Sequence, residues 1–304
     1  MLLFIEQLFN GLQLGIMLFL MSAGLTLVFG IMRVINLAHG SLYMLGAYVA
    51  ATVTLYTGSF LLGLLAALPA TALVGMLVEV IVLRRLYERE HLDQVLATFG
   101  LILFFNELTR IIWGRQPLFM DVPNWLSGTV ELIPGAPYPS YRLAIIVVGI
   151  LVALFLYLMF TRTRLGMQIR AGASNREMVA ALGVNITLLN TLVFGLGALL
   201  AGLAGAMAGP ILAVESGMGE SILILTFVVI VIGGIGSIRG AFIAAILVGM
   251  VETLGGYILP LLLRLILPAA TADGVGSSLA SMSVYILMAA VLFWRPRGLF
   301  PAHD

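Results

Sequence analysis

Three carboxylates stand within or beside long apolar runs: Glu79, Glu107 and Glu252. A charged group at membrane depth is costly, so such residues point by default to proton or sodium coupling. Each has a plainer reading beside that one. Glu79 lies roughly a helical turn from Arg84, and Glu107 is spaced to pair with Arg110. Glu252 has no local partner and can face a pathway or bond a neighbouring helix. A second polar group, Asn36, His39, Ser41 and Tyr43, opens an apolar run just after Arg33. Polar groups at that depth need partners or a water-lined path; alternatively they form an interfacial cap, with His39 at the headgroups. The run GGIGSIRGA (233–241) has the look of a phosphate loop, yet no alternation of strands and helices surrounds it. Its glycines Gly233, Gly234, Gly236 and Gly240 read instead as a tight turn between packed helices. Gly195, Ala198, Gly202, Gly205 and Gly209 form a small-residue helix face with a GxxxG pair, the composition of a packing seam. No Walker motif, nucleophile elbow or metal-ligand pair occurs, so the chain is expected to catalyse no reaction and to hold no metal or cofactor.

These residues are carried by an oily chain. Of 304 residues, 62% are hydrophobic and only 10% charged, where a soluble domain has about 25% charged. The reading is an all-α, polytopic membrane protein. With no cysteine, disulfides and thiolate metal sites are excluded. His39, His91 and His303 are scattered, and a net charge of +1 offers nothing to nucleic acid. The N-terminus MLLFIEQLF lacks a basic leader, so the first apolar span is expected to stay. Spans are predicted within 7–32, within 34–57, within 59–78, and at about 95–113, 142–160, 187–209, 221–235, 241–259 and 279–294, eight or nine in all, with a polar, proline-rich loop over 114–141.

The long polar run inside this pattern is residues 161–183, which carry Arg162, Arg164, Arg170 and Arg176. Short basic loops stay cytoplasmic. With this loop inside, 11 of the 15 basic residues face the cytoplasm. The expectation is an external N-terminus and a cytoplasmic C-terminus. Residues 174–182 read as a short helix, capped by Ser174 with Glu177 three residues on, ended by Gly183, and showing Met178, Ala181 and Leu182 on one face. Such a helix is shaped to dock on a cytoplasmic partner; its plainer reading is a solvated linker.

Three motifs carry a resemblance: NLAHG (36–40), RAGASNREMVAALGV (170–184) and GGIGS followed by Gly240-Ala241. In that order, and over nearly the whole chain from residue 10 to WRPRGLF (294–300), they resemble the permease subunits of bacterial branched-chain amino-acid (Liv-type) ABC importers. Arg239 stands where that family often has proline. The resemblance implies the Liv/ribose-permease fold as a single transmembrane domain over 1–304. It assigns the loop 161–183 to ATPase coupling through Arg170, Ala171, Asn175, Glu177, Ala180, Leu182 and Gly183. Asn36, His39, Gly40 and Ser41 fall at the inner end of the translocation pathway, to which Glu252 is a further candidate. The implied partners are a second homologous permease, two ABC ATPases, a periplasmic substrate-binding protein and the lipid bilayer of the inner membrane. Branched-chain amino acids head the substrates, with urea, short amides and aromatic acids as alternatives. A different class, an ion-coupled secondary transporter using Glu252, Glu107 or Glu79, is the competing expectation.

Overall fold

The computed structural model describes residues 2–32 and 34–301. The helices are α1 (Leu2–Met32), α2 (His39–Thr57), α3 (Phe60–Ile81), α4 (His91–Trp113), α5 (Ser140–Arg162), α6 (Arg164–Ser174), α7 (Arg176–Ala181), α8 (Ile186–Ala208), α9 (Met218–Gly233), α10 (Ile238–Leu263) and α11 (Ala269–Trp294). Among the described residues, nine are of 16 residues or more, one for each predicted span. Seven of those, all but α2 and α9, are long and apolar enough to cross a membrane by length and composition. The other two are informative. α9 is apolar but short at 16 residues. α2 is diluted by His39, Ser41 and three threonines, yet most of it is buried by protein, which removes the need for a uniformly apolar surface.

Local chemistry moves several boundaries. α11 begins ten residues before its predicted start, because Asp273 is held by Arg264 through two hydrogen bonds of 2.9 and 2.8 Å. The Ser277 and Ser278 hydroxyls also donate to the Gly274 carbonyl, so the helix absorbs a polar stretch that reads as loop. The loop after α4 contains an antiparallel hairpin, β1 (Thr129–Ile133) and β2 (Ala136–Pro139), turned at Gly135 with φ +83°. That hairpin is a departure from an all-helical chain, confined to the segment where prolines deny a helix its donors.

The chain forms two compact units, Met1–Ser22, Asn124–Ile150 and Thr226–Asp304 in one, Ala23–Pro123 and Leu151–Leu225 in the other. In the first, α1 crosses α10 at glycines: Gly11 meets Gly249 and Met250, and Gly15 meets the backbone of Ala245 and Ile246. The hairpin is pinned to α1, with Phe9 against Tyr138 at 5.4 Å and Asn10 accepting hydrogen bonds from Tyr138 Oη (3.3 Å) and Arg142 Nη1 (2.5 Å). Burial pushes the Tyr138 phenol up to about 12. In the second unit α2, α3 and α8 pack on one another. Gly46 of α2 lies on the Gly202 backbone, Gly202 meets Thr71 of α3, and Gly75 of α3 meets Ala198. Lipid offers no hydrophobic drive for helix association, so this close packing is what holds the layer together.

Candidate functional site

The first centre is the start of α2. Asn36 Oδ1 accepts from the Ala38 amide at 3.1 Å, closing an Asx turn that launches the helix, and Asn36 and His39 are both fully buried. The His39 ring lies over Gly24 of α1, where an added Cβ would come within 3.1 Å of it, and Gly24 rests on Gly197 of α8. That level can be placed. Thr191 of α8 bonds the Glu79–Arg84 pair at the end of α3, and Gly197 is six residues further along α8, about 9 Å at 1.5 Å per residue. His39 is thus enclosed by protein, about 9 Å along α8 from the Glu79 cluster.

Next along α2, Gly40 touches Gly219 in the first turn of α9, backbone on backbone. Two helices thus begin against each other inside the protein, and a Cβ on either glycine has no room. The Gly217 amide reaches Met44 Sδ at 3.4 Å from the same junction. Beside it a narrow crevice of about 10 Å³, room for about one water, lies between α2, α4 and α9, lined in part by Ser41, Met44, Asn106, Glu220 and Leu223. Asn106 Nδ2 donates to Glu220 Oε1 at 2.6 Å.

The second centre lies at the end of α3. Glu79, fully buried, is saturated with donors: Arg84 Nη2 at 2.9 Å and Nε at 3.3 Å, Tyr87 Oη at 2.6 Å and Thr191 Oγ1 at 2.7 Å. Burial, and after it the hydrogen bond to Glu79, pushes the Tyr87 phenol above its ordinary range. The Arg176 guanidinium of α7 stands 5.7 Å from the Tyr87 ring centroid. Residues of α3, α7, α8 and the turn after α3 are thereby linked. Of these contacts only Glu79–Arg84 is legible from spacing; nothing local marks Tyr87 or Thr191.

The 161–183 segment differs from its reading in two ways. It holds two helices rather than one, and α6 is capped by Thr163, whose Oγ1 accepts from the Gly166 amide at 3.1 Å. Ser174 is the last residue of α6, so it does not cap α7. Asn175 does, in extended conformation at φ −147°, with Oδ1 accepting from Met178 N at 2.9 Å. Gly183 follows at φ +87°, ending the segment. Val179 is buried, while Met178 and Leu182 are 59% and 77% exposed. Arg170, Asn175, Glu177, Ala180 and Gly183 are exposed too, with Ala171 half-buried.

The glycine turn lies in the first unit. Gly234 and Gly236 have φ of +102° and +83°, Gly233 packs on the Gly240 backbone, and Ser237 caps α10 through the Gly240 amide at 3.0 Å. Arg239 is the second residue of α10 and exposed; its amide is one of the first-turn donors that no helix pairs internally. The C-terminal segment closes over this turn, Leu299 N donating to Ile232 O at 2.8 Å and Phe300 N to Gly233 O at 3.0 Å. In the seam of α8, Gly205 faces Tyr43 and Ala47 of α2, whereas Gly209 meets Met120 from the loop after α4, so the GxxxG pair serves two different neighbours. Glu107 pairs with Arg110 at 2.6 Å on the exterior. Glu252, on α10, is half-buried and its Oε2 has no partner among the described residues. Among those residues no three histidine, aspartate or glutamate side chains gather as a metal site.

Helices that begin inside an apolar bundle, glycine seams and a buried polar junction define a multi-pass membrane protein of transporter type. The family described as "Branched-chain amino acid transport system / permease component" matches residues 7–292, and the chain belongs to it. The chain is 31% identical to the high-affinity branched-chain amino acid transport system permease protein BraD of Pseudomonas aeruginosa, over 97% of this chain and 95% of that one. It is 29% identical to the corresponding permease protein LivH of Escherichia coli K12, covering 83% of this chain and 85% of the relative. The ribose import permease protein RbsC of the same strain is 28% identical over 82% of this chain and 77% of its own. No solved structure matches.

Proposed function

We propose that this chain, acting as one permease domain over residues 1–304, is a transmembrane subunit of an ATP-driven ABC importer for branched-chain amino acids. The observation that carries the reading is the family match across residues 7–292, with a relative of that printed activity aligned along almost the whole chain. The chain catalyses nothing itself. Two ABC ATPases supply the energy, a periplasmic binding protein delivers the amino acid, and a second homologous permease completes the pathway in the inner membrane. The N-terminus is periplasmic and the C-terminus cytoplasmic, which follows from the basic character of residues 161–183.

Coupling runs through α6 and α7. The exposed Met178 and Leu182, with Arg170, Asn175, Glu177, Ala180 and Gly183 around them, form the face that an ATPase subunit engages. Displacement of α7 reaches the bundle through Arg176 and the Tyr87–Glu79–Thr191 chain of contacts. The inner gate lies at Asn36, His39, Gly40 and Ser41, where glycine-to-glycine packing permits sliding between alternative arrangements; Glu252 lines the pathway. Glu79 has no spare lone pair to offer a coupling ion, which disfavours a gradient-driven carrier built on it.

The test is affinity isolation of the chain from native membranes followed by uptake in proteoliposomes. Co-isolation of two ABC ATPases and a second permease is expected, with leucine accumulation that requires ATP inside and binding protein outside. A lone homo-oligomer that accumulates solute from an ion gradient, indifferent to ATP, would sink the proposal.

A further inference from the structure

The two ends of the α10–α11 hairpin differ in charge. Where the helices join, Arg264 is neutralised by Asp273. At the other end stand Arg239, Arg295 and Arg297, all exposed, and among the described residues none of the three has a carboxylate partner. Packing brings them together. Gly276 of α11 meets Pro260 of α10, and Gly255 of α10 meets Ala280 of α11, an antiparallel register. Continued to the far end, that register carries Arg239 to the level of residues 296–297. The glycine turn fixes the same neighbourhood: Gly298 lies on Gly234 and Gly240 on Gly233, so their chain neighbours Arg297 and Arg239 converge on one turn. Arg295 folds back over the same segment, its Nη1 donating to the Leu299 carbonyl at 3.4 Å. No acid occurs over 226–251 or 274–301, so the segments that meet here carry only positive charge. Beside the arginines the surface is apolar. Phe293 and Trp294, which close α11, are 84% and 77% exposed, and Ile235 and Phe300 are exposed as well. Exposed aromatics at the end of a helix long and apolar enough to span mark the headgroup level of a bilayer.

We infer that Arg239, Arg295 and Arg297 seat the phosphate headgroup of one anionic phospholipid, whose acyl chains lie along Phe293 and Trp294. Guanidinium groups pair with phosphate oxygens in a forked geometry. Each basic side chain near an anionic bilayer surface strengthens binding about fivefold. A role in topology alone needs the number of these arginines but not their convergence on one folded turn. An acidic protein surface would meet the same charges, but the exposed aromatic collar beside them fits acyl chains. The seated lipid ties the C-terminal segment, whose amides already donate to Ile232 and Gly233, against the turn between α9 and α10. The inference needs the membrane-spanning character of α10 and α11, not the identity of the cargo.

The experiment titrates the purified, assembled transporter with phosphatidylglycerol or, separately, with phosphatidylcholine of the same acyl chains, and counts retained lipids by native mass spectrometry. Wild type is expected to retain phosphatidylglycerol more tightly than phosphatidylcholine. Arg239→Gln, Arg295→Gln and Arg297→Gln combined should retain one phosphatidylglycerol fewer per copy of this chain, with phosphatidylcholine unchanged. Each single substitution should weaken that lipid about fivefold. Arg264→Gln, at the opposite end of the hairpin, removes a charge of the same sign and should leave the count unchanged. If the combined variant does not assemble, Arg297→Gln alone decides, since its side chain is exposed and makes no hydrogen bond among the described residues. Equal phosphatidylglycerol retention by wild type and variant, or equal affinity of wild type for both lipids, overturns the inference. So does displacement of the lipid by an equal concentration of inorganic phosphate, the mark of a soluble-anion site. Loss of the ATPase subunits from the variants with lipid retention unchanged, the mark of a protein contact, overturns it too.

Discussion

Replacing Glu79 by glutamine separates a structural carboxylate from an ion-coupling one. Both oxygens are engaged: Oε1 by Arg84 Nε and Tyr87 Oη, Oε2 by Arg84 Nη2 and Thr191 Oγ1. An amide has one oxygen. Whichever way the glutamine is turned, its NH₂ faces an Arg84 donor, so the forked pairing fails in both orientations. Breaking a fully buried ion pair costs about 3–5 kcal/mol. Arg84 is 36% exposed, so water recovers part of that, and about 2 kcal/mol is the expected net loss, close to one charge-assisted hydrogen bond. Thr191→Val and Tyr87→Phe should each cost about 1 kcal/mol, for one neutral donor apiece. The assay is reversible unfolding of the assembled complex in mixed micelles, alongside ATP-driven uptake per folded complex. Loss of stability with uptake per folded complex largely retained is expected. A variant as stable as wild type that loses uptake outright would refute the reasoning and return Glu79 to the role of a coupling group.

Two further outcomes follow from local geometry. Asn175→Ala should weaken α7 by about 1 kcal/mol, the usual worth of an N-cap, and reduce uptake relative to ATP hydrolysis, whereas Ser174→Ala should leave both near wild type, because the cap hydrogen bond from the Met178 amide is accepted by Asn175 Oδ1. Tyr138, raised to about 12 by burial and hydrogen-bonded to Asn10, favours its neutral form in the folded chain. Its contribution to stability is complete below the unfolded value of about 10 and is lost as pH rises towards 12. Difference absorbance of wild type minus Tyr138→Phe should therefore show no tyrosinate from this residue at pH 10, and a full signal there would contradict the packing of the hairpin on α1.

The nine long helices, their limits to within a few residues in most cases, and the family were legible in the amino-acid sequence. The reason is local: a run of about 20 apolar residues must satisfy its own backbone in lipid, and only a helix does so within one segment. The turn at Gly234 and Gly236 was legible for a similar reason, since positive φ selects glycine. The cap of α7 was misread because Ser174 and Asn175 are adjacent and equally suited. The choice fell to Asn175 once α6, itself hidden in a polar run, extended through Ser174. The partners of Glu79, by contrast, include Thr191, 112 positions away, and Asn106 meets Glu220 across 114. The meeting of Gly40 with Gly219, and the full burial of His39, belong to the same kind. No periodicity within one helix encodes which face of another it will meet. Helix formation is settled segment by segment, but the polar junctions are settled only when close-packed glycine seams bring distant segments to one depth.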